Sequence, residues 1–409
     1  MNYIIEDSTM SAIADAIREK TGTQEAFQVT DMASAIQNIP SGGGDEDAKG
    51  IIEKTISEIT NSASVVSNYA FYGCASLKTA NFTACIFIGA NAFQGCSSLT
   101  TVSFPVCTNI YANAFVNCRN LTAASFPSCT FIDNSAFLGC SNLTLASFPV
   151  CTSIGNSAFY GCASLTTANF PVCTSIGSYA FYGCASLTTA NFPVCNTIGT
   201  SAFANCKSLT TVSFPVCTSI GDSGFNSCSN LMSANFPVCD IIRAYTFNNC
   251  SKLAIASFPS CTKISDYAFR GCNRLYSVYF PVCTTISNNA FDYCLDLTSV
   301  NFPVCNAIGT SAFINCKSLN TVSFPVCTSI GVAVFNNCSN LMSVYLLSES
   351  RCNLANLNAF NNTPIAKSSY LGYFGSIYVP ESLVDTYKSA TNWVTYADRI
   401  TAAPSEMVG

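Results

Sequence analysis

A step of 22 residues governs this chain and limits what it can fold into. Phe recurs from Phe71 through Phe93 and Phe115 to Phe335, and Leu from Leu77 to Leu341. A second Phe series runs from Phe82 to Phe324, Pro follows it from Pro105 to Pro325, and Ile repeats from Ile88 to Ile330. The unit reads L-x-x-[AV]-x-F-P-x-C-x-x-I-x-x-x-A-F-x-x-C-x-x, and no insertion breaks it over twelve units. A 22-residue unit is too small to bury its own apolar face, so each must stack on its neighbours. Independent domains of 100–200 residues, the ordinary reading of 409 residues, are therefore not expected.

The apolar positions of L-x-x-[AV]-x-F alternate at its end, as a half-buried strand requires. The following Pro stops that strand, because it has no N–H for a ladder. The Ile and the Ala-Phe pair after it (Ile176, Ala180 and Phe181 in one unit) turn inward on the return path. Gly73, Gly89, Gly95, Gly139, Gly155 and Gly161 fall at turns, where tight backbone suits glycine. At about 4.8 Å per stacked strand, thirteen coils give a rod about 60 Å long.

The unit LTTANFPVCTSIGSYAFYGCAS at 165–186, with its SIG-x-x-AF-x-x-C-x-x-L run, resembles the BspA-type leucine-rich repeat over about residues 60–362. The resemblance implies an α/β repeat solenoid, elongated and right-handed, used for binding. Such solenoids belong to bacterial and protist surface proteins and to phage or prophage proteins. The chain departs from the pattern in placing Cys at the ninth position of each unit, where the family more often has Val.

Those cysteines form two ladders, Cys74 to Cys338 and Cys85 to Cys327, with Cys352 completing the 26. Their spacing is always 11 and C-x-x-C never occurs, which speaks against a zinc or iron–sulfur site. The expectation is free, buried thiols acting as small apolar side chains. A disulfide framework is the competing reading, since stacked coils bring Cα atoms within bridging range. Uniform rungs would then have to pair arbitrarily.

Composition excludes much chemistry. The chain has no His, which removes Ser-His-Asp and Cys-His nucleophile systems and His-ligated zinc. A net charge of -5 offers no general attraction to nucleic acid. Apolar runs are only a few residues long, such as Cys85-Ile86-Phe87-Ile88, so no membrane insertion is expected. MNYIIEDSTM lacks a basic start and an apolar core, and reads as no secretory signal. Carboxylates in the repeats are Asp133, Asp222, Asp240, Asp266, Asp292 and Asp296, and spacing pairs none of them as acid and base. No phosphate loop or metal motif appears, so neither an enzyme nor a cofactor is expected.

The ends differ from the middle. Residues 1–40 read as a helical attachment module: Asp7-Ser8-Thr9 caps a helix to about Lys20, and Thr30-Asp31 begins another that Pro40 stops. SGGGDEDAKG, 41–50, reads as a flexible acidic linker. Residues 1–58 hold 11 acidic and 4 basic residues, whereas 59–346 hold 6 and 9. AIADAIREKTG…DMASAIQNIP resembles the N-terminal segment of phage and prophage tail-associated proteins, and a helical hairpin with no attachment role is the alternative. Residues 51–76 read as a cap and partial coil, 77–362 as the solenoid, and 363–409 as a C-terminal cap. In that cap a strand leads to a helix near Glu381, and Tyr387 and Trp393 pack on the last coil.

Outward positions are mostly Thr, Ser and Asn, for example Thr166, Thr167, Asn169, Thr188, Thr189, Asn191, Thr210, Thr211 and Ser213. They read as a solvated face or as an adaptable hydrogen-bonding surface for carbohydrate or protein. An ice-binding array fits less well, because Thr is not kept in all coils. One stretch breaks the monotony: Arg243, Tyr245, Lys252, Lys263, Tyr267, Arg270, Arg274, Tyr276 and Tyr279. Lys252, Arg274 and Asp296 share a repeat position and should stack as a column. Tyr and Arg are frequent binding anchors, so this stretch is the candidate ligand site, with surface drift as the plain alternative. Two functions fit. The first is a phage tail adsorption protein in the virion, docked to other tail proteins through 1–40 and contacting a host-surface glycan or protein. The second is a BspA-like adhesin at the bacterial cell surface.

Overall fold

A computed structural model describes residues 57–366 and 374–407. The expected helical module at 1–40 and linker at 41–50 lie outside them. The chain divides into two compact units, Met1–Cys195 and Asn196–Gly409, and the same coil builds both.

Each coil holds a strand of three or four residues and one of two, Thr167–Asn169 and Ser175–Ile176 in one repeat. Ala168 points in while Thr167 and Asn169 point out, the alternation that the pattern demands. Successive coils pair in parallel with a 22-residue register, Thr167 to Thr189, Ala168 to Ala190 and Asn169 to Asn191 in the first unit. In the second unit Ile242 meets Ile264 and Ile286 meets Ile308 in the same way. Like residues therefore stack on like, and a slip by one would turn the core outward. Coil strands begin before the clear repeat: Glu58–Asn61 pairs with Thr79–Phe82, and Val65–Val66 with Phe87–Ile88.

The α/β expectation is corrected. The return path holds no α-helix in any described coil; turns carry it, with a single 3-10 turn at Leu357–Phe360 in the last coil, so both units are parallel-sheet solenoids. Two residues per coil take left-handed backbone, which interrupts a right-handed helix. Gly161 and Gly183 occupy one such position, at φ 71° and 72°. The other lies two residues before the Phe and is never glycine in the described coils: Ser157, Tyr179, Tyr245 and Tyr267 sit there at φ 55° to 59°. Inter-coil bonds hold these turns, as where Ser157 N–H donates to Ser178 (2.8 Å) and Phe159 N–H to Ala180 (2.7 Å). Gly89 and Gly155 have a different reason. A Cβ at either would lie 2.6 Å from a backbone nitrogen of the preceding coil, Asn68 or Asn134.

The core is two interleaved Phe stacks. Phe159 and Phe181 stack at 5.2 Å, Phe148 and Phe170 at 5.7 Å, and Phe159 meets Phe170 edge-on at 6.0 Å. The second unit repeats this, with Phe269 and Phe291 at 5.2 Å and Phe258 edge-on to Phe269 at 6.1 Å. Stacking within a ladder and edge contact between ladders are the arrangements that ring quadrupoles favour.

All 26 cysteines are buried, and no disulfide joins them. They also do what Val cannot. The Cys118 thiol donates to the Phe93 carbonyl of the preceding coil at 3.0 Å, and Cys140 to that of Phe115 at 3.1 Å. In the other ladder Cys129 donates to Phe131 and Cys151 to Ser153, both at 3.3 Å, within their own coil. These thiols are thus small apolar fillers with a weak donor aimed at a backbone carbonyl. Burial pushes Cys107 and Cys239 up to about 12 and Cys118 well above the ordinary range, which holds these thiols protonated, whereas the hydrogen bond from the Cys352 thiol lowers Cys327.

At the C-terminus the strand Ser376–Val379 extends the sheet, pairing with Ser343–Tyr345 and with Ile400–Ala402. A short helix, Val384–Ser389, follows one 3-10 turn at Glu381–Leu383. Tyr387 and Trp393 are fully buried on the last coil as expected. Cys352 N–H donates to the Tyr387 hydroxyl at 2.7 Å, and the Trp393 indole N–H to the Cys352 carbonyl at 2.8 Å.

Candidate functional site

The outward hydroxyls are not equivalent. Thr166 and Thr188, just before the long strand, donate to the carbonyls of Thr144 and Thr166 at 3.2 and 3.0 Å. Thr152 and Thr174, just after the cysteine, donate to Thr130 and Thr152, each at 3.1 Å. These hydroxyls are therefore engaged in joining coils. Within the strands, Asn191 donates to the Asn169 amide oxygen at 3.0 Å.

The nine candidate residues do not share one cleft. Arg243 and Lys263 line a cleft of about 280 Å³ with Asp222 and Asp266, a region of mixed charge. Tyr245 and Tyr267 stack at 4.8 Å on the left-handed turn, and the Arg270 guanidinium sits 5.8 Å from the Tyr267 ring. Arg270 is also tied inward. Its Nε lies 3.2 Å from the buried Asp292 carboxylate, whose other oxygen accepts from Asn315 at 3.1 Å. An amide ladder continues from there, Asn337 donating to Asn315 at 2.9 Å and Asn362 to Asn337 at 2.7 Å. Arg270 thus neutralises a buried charge that heads a polar ladder, a structural duty that the sequence did not reveal. Arg274 and Asp296 stack in the expected column with an exposed ion pair at 3.6 Å.

Tyr276 and Tyr279 are placed differently. Tyr276 precedes and Tyr279 ends the strand Ser277–Tyr279, which pairs with Ile255–Ser257 on one side. On the other side the ladder stops, and the next strand, Ser299–Asn301, starts a separate sheet. No backbone hydrogen bond joins residues 276–280 to 298–302, although Asn320 N–H donates to Thr298 (2.8 Å) one coil on. A cleft of about 270 Å³ opens there, lined by Tyr276, Ser277, Tyr279, Ser299 and Asn301 over Val278 and Phe280. Weaker interruptions follow the strands Thr101–Ser103 and Thr211–Ser213, where Thr122 N–H still reaches Thr100 (3.3 Å) and Met232 N–H reaches Thr210 (3.2 Å). Each interruption follows a Val at the Ala/Val core position: Val102, Val212 and Val278. Val212 and Val278 are only partly buried, whereas Ala168 and Ala190 are fully buried. The larger side chain seats less deeply where the preceding coils carry Ala. The repeat pattern treats Ala and Val as interchangeable and conceals this. One visible signal was Tyr276 at a position that is Thr in six consecutive coils, Thr100 to Thr210.

Short parallel strands, stacked Phe ladders and turn-only returns define a leucine-rich-repeat solenoid, a class whose variable residues are its outward ones. The BspA type leucine rich repeat region matches residues 64–188, 174–298 and 262–378, and the chain belongs to that family. A leucine-rich repeat protein from Bacteroides ovatus has the same fold, with a TM-score of 0.53 and 23% identity over 72% of this chain and 91% of that one. A leucine rich cell surface protein from Faecalibacterium prausnitzii is 24% identical over 82% of this chain and 86% of its own, with a TM-score of 0.44. A search of the curated proteins gives no match. The family match begins at residue 64, and the likeness of 1–40 to phage tail-associated proteins finds no support in the comparisons.

Proposed function

We propose that this protein is a non-enzymatic adhesin of the BspA kind, displayed at a bacterial cell surface, whose outward residues contact a glycan or protein of another surface. The observation that carries this reading is where the variation falls. The Phe, Leu, Ile and Cys ladders are kept from coil to coil, while the outward positions change from Thr, Ser and Asn to Tyr, Arg and Lys. A core kept constant under a changing exterior serves recognition. Family membership supports the same reading.

The test is antibody labelling of intact cells of the bacterium that encodes the chain, beside purified phage particles from the same culture. Labelled cells that lose adherence when the gene is deleted would bear out the adhesin. Labelling confined to phage particles would overturn it in favour of a tail adsorption protein docked through residues 1–40.

A further inference from the structure

We propose that the cleft between the strands Ser277–Tyr279 and Ser299–Asn301 is a binding site for a neutral sugar ring; this deepens the adhesin reading and rests on it. Backbone groups that elsewhere pair coil to coil have no such partners between 276–280 and 298–302. A ligand entering there must offer both donors and acceptors, since an apolar one would leave polar groups dry and unpaired. Ser277, Ser299 and Asn301 line the same cleft and ask for the same complement.

Flat apolar surface comes from the two tyrosines. Tyr276 and Tyr279 are 53% and 57% exposed, the most exposed aromatic side chains among the described residues. Neither ring stacks on a neighbour, whereas Tyr245 and Tyr267 are stacked on each other. A pyranose matches this arrangement, with C–H faces for the rings and hydroxyls around its edge that both donate and accept. No Asp, Glu, Lys or Arg lines the cleft, so nothing there selects a charged ligand. Its volume, about 270 Å³, lies at the small end of ligand sites, which fits one terminal sugar residue rather than a peptide.

The experiment is saturation-transfer NMR on the full chain with the methyl glycosides of glucose, galactose, mannose and N-acetylglucosamine. At least one glycoside should take up saturation, most strongly at the C–H protons of one ring face. The double variant Tyr276→Thr, Tyr279→Asn, which installs residues that other coils carry, should weaken binding about tenfold or more. Tyr267→Ser, outside the cleft, should leave it unchanged. Val278→Ala keeps both tyrosines but lets the strand seat deeper, and should also weaken binding. Absence of transfer to all four glycosides, or equal transfer in the double variant, would overturn the assignment. Cells that still adhere without glycoside binding would sink this site and leave the adhesin standing. Glycoside binding by a protein found only on phage particles would do the reverse.

Discussion

The coils around 167–191 and those around 277–301 share one repeat and one core, yet they face solvent differently. In the first group Ala168 sits over Ala190 and the strands pair fully. Thr188 adds a hydroxyl bond from coil to coil. In the second, Val278 stands partly exposed, Tyr276 replaces the Thr, and the ladder to Ser299–Asn301 is gone. Inside, the Phe stack runs on across both junctions, Phe170 over Phe192 at 5.4 Å and Phe280 over Phe302 at 5.8 Å. The lesson is that the Phe stacks and the turn ladder hold the coil, which frees the long-strand face to open.

The largest expected effect tests the shared core. Buried thiols with raised values keep their protons when folded and lose them when unfolded. Their stabilisation is whole below about pH 8.5, the ordinary thiol value. It falls as pH rises toward the folded values, about 12 for Cys107 and Cys239. Each such thiol contributes up to ~1.4 kcal/mol per pH unit in that window. Steep loss of circular dichroism signal above about pH 9 is therefore expected, and unchanged stability to pH 11 would break the account.

Next come Phe181→Ala and Phe269→Ala, one in each group of coils. Both side chains are fully buried, and each substitution should cost about 3–5 kcal/mol in urea unfolding. A much smaller cost at Phe269 would mean that the opening reaches the core.

A smaller loss, about 0.5–1.5 kcal/mol, is expected for Thr166→Val, which removes a hydroxyl bond to Thr144. Thr298→Val should cost less than that, since the structure gives Thr298 no bond to the Tyr276 carbonyl. Equal costs in the same unfolding assay would show that the ladder is closed in solution.

The finest difference is read by amide hydrogen exchange. Ser299 and Asn301 should exchange faster than Thr189 and Asn191, whose strand is paired. Val278→Ala should slow Ser299 and Asn301 with almost no change in overall stability. Equal protection at all four amides in the parent protein would remove the contrast between the two groups.

Much was legible beforehand. The 22-residue step set the parallel register, the Phe, Leu and Ile ladders, the burial of both cysteine series and the packing of Tyr387 and Trp393 at the end. A repeated apolar side chain must meet its own copy once coils stack, so these features follow from the pattern alone. What the return path would be was not legible. Its second left-handed residue is Ser, Asn, Tyr or, once, Ala333, and in the described coils never the glycine that would announce it. Nor was the candidate site. The nine candidate residues cluster along the chain, but a coil carries its outward residues around several faces. Arg270 therefore serves the buried Asp292, Arg243 and Lys263 line a separate cleft, and only Tyr276 and Tyr279 flank the opening. That opening depends on how deeply Val278 seats against Ala256 before it and Val300 after it. Such a balance of side-chain volume belongs to the stacked coils together, and no single repeat contains it.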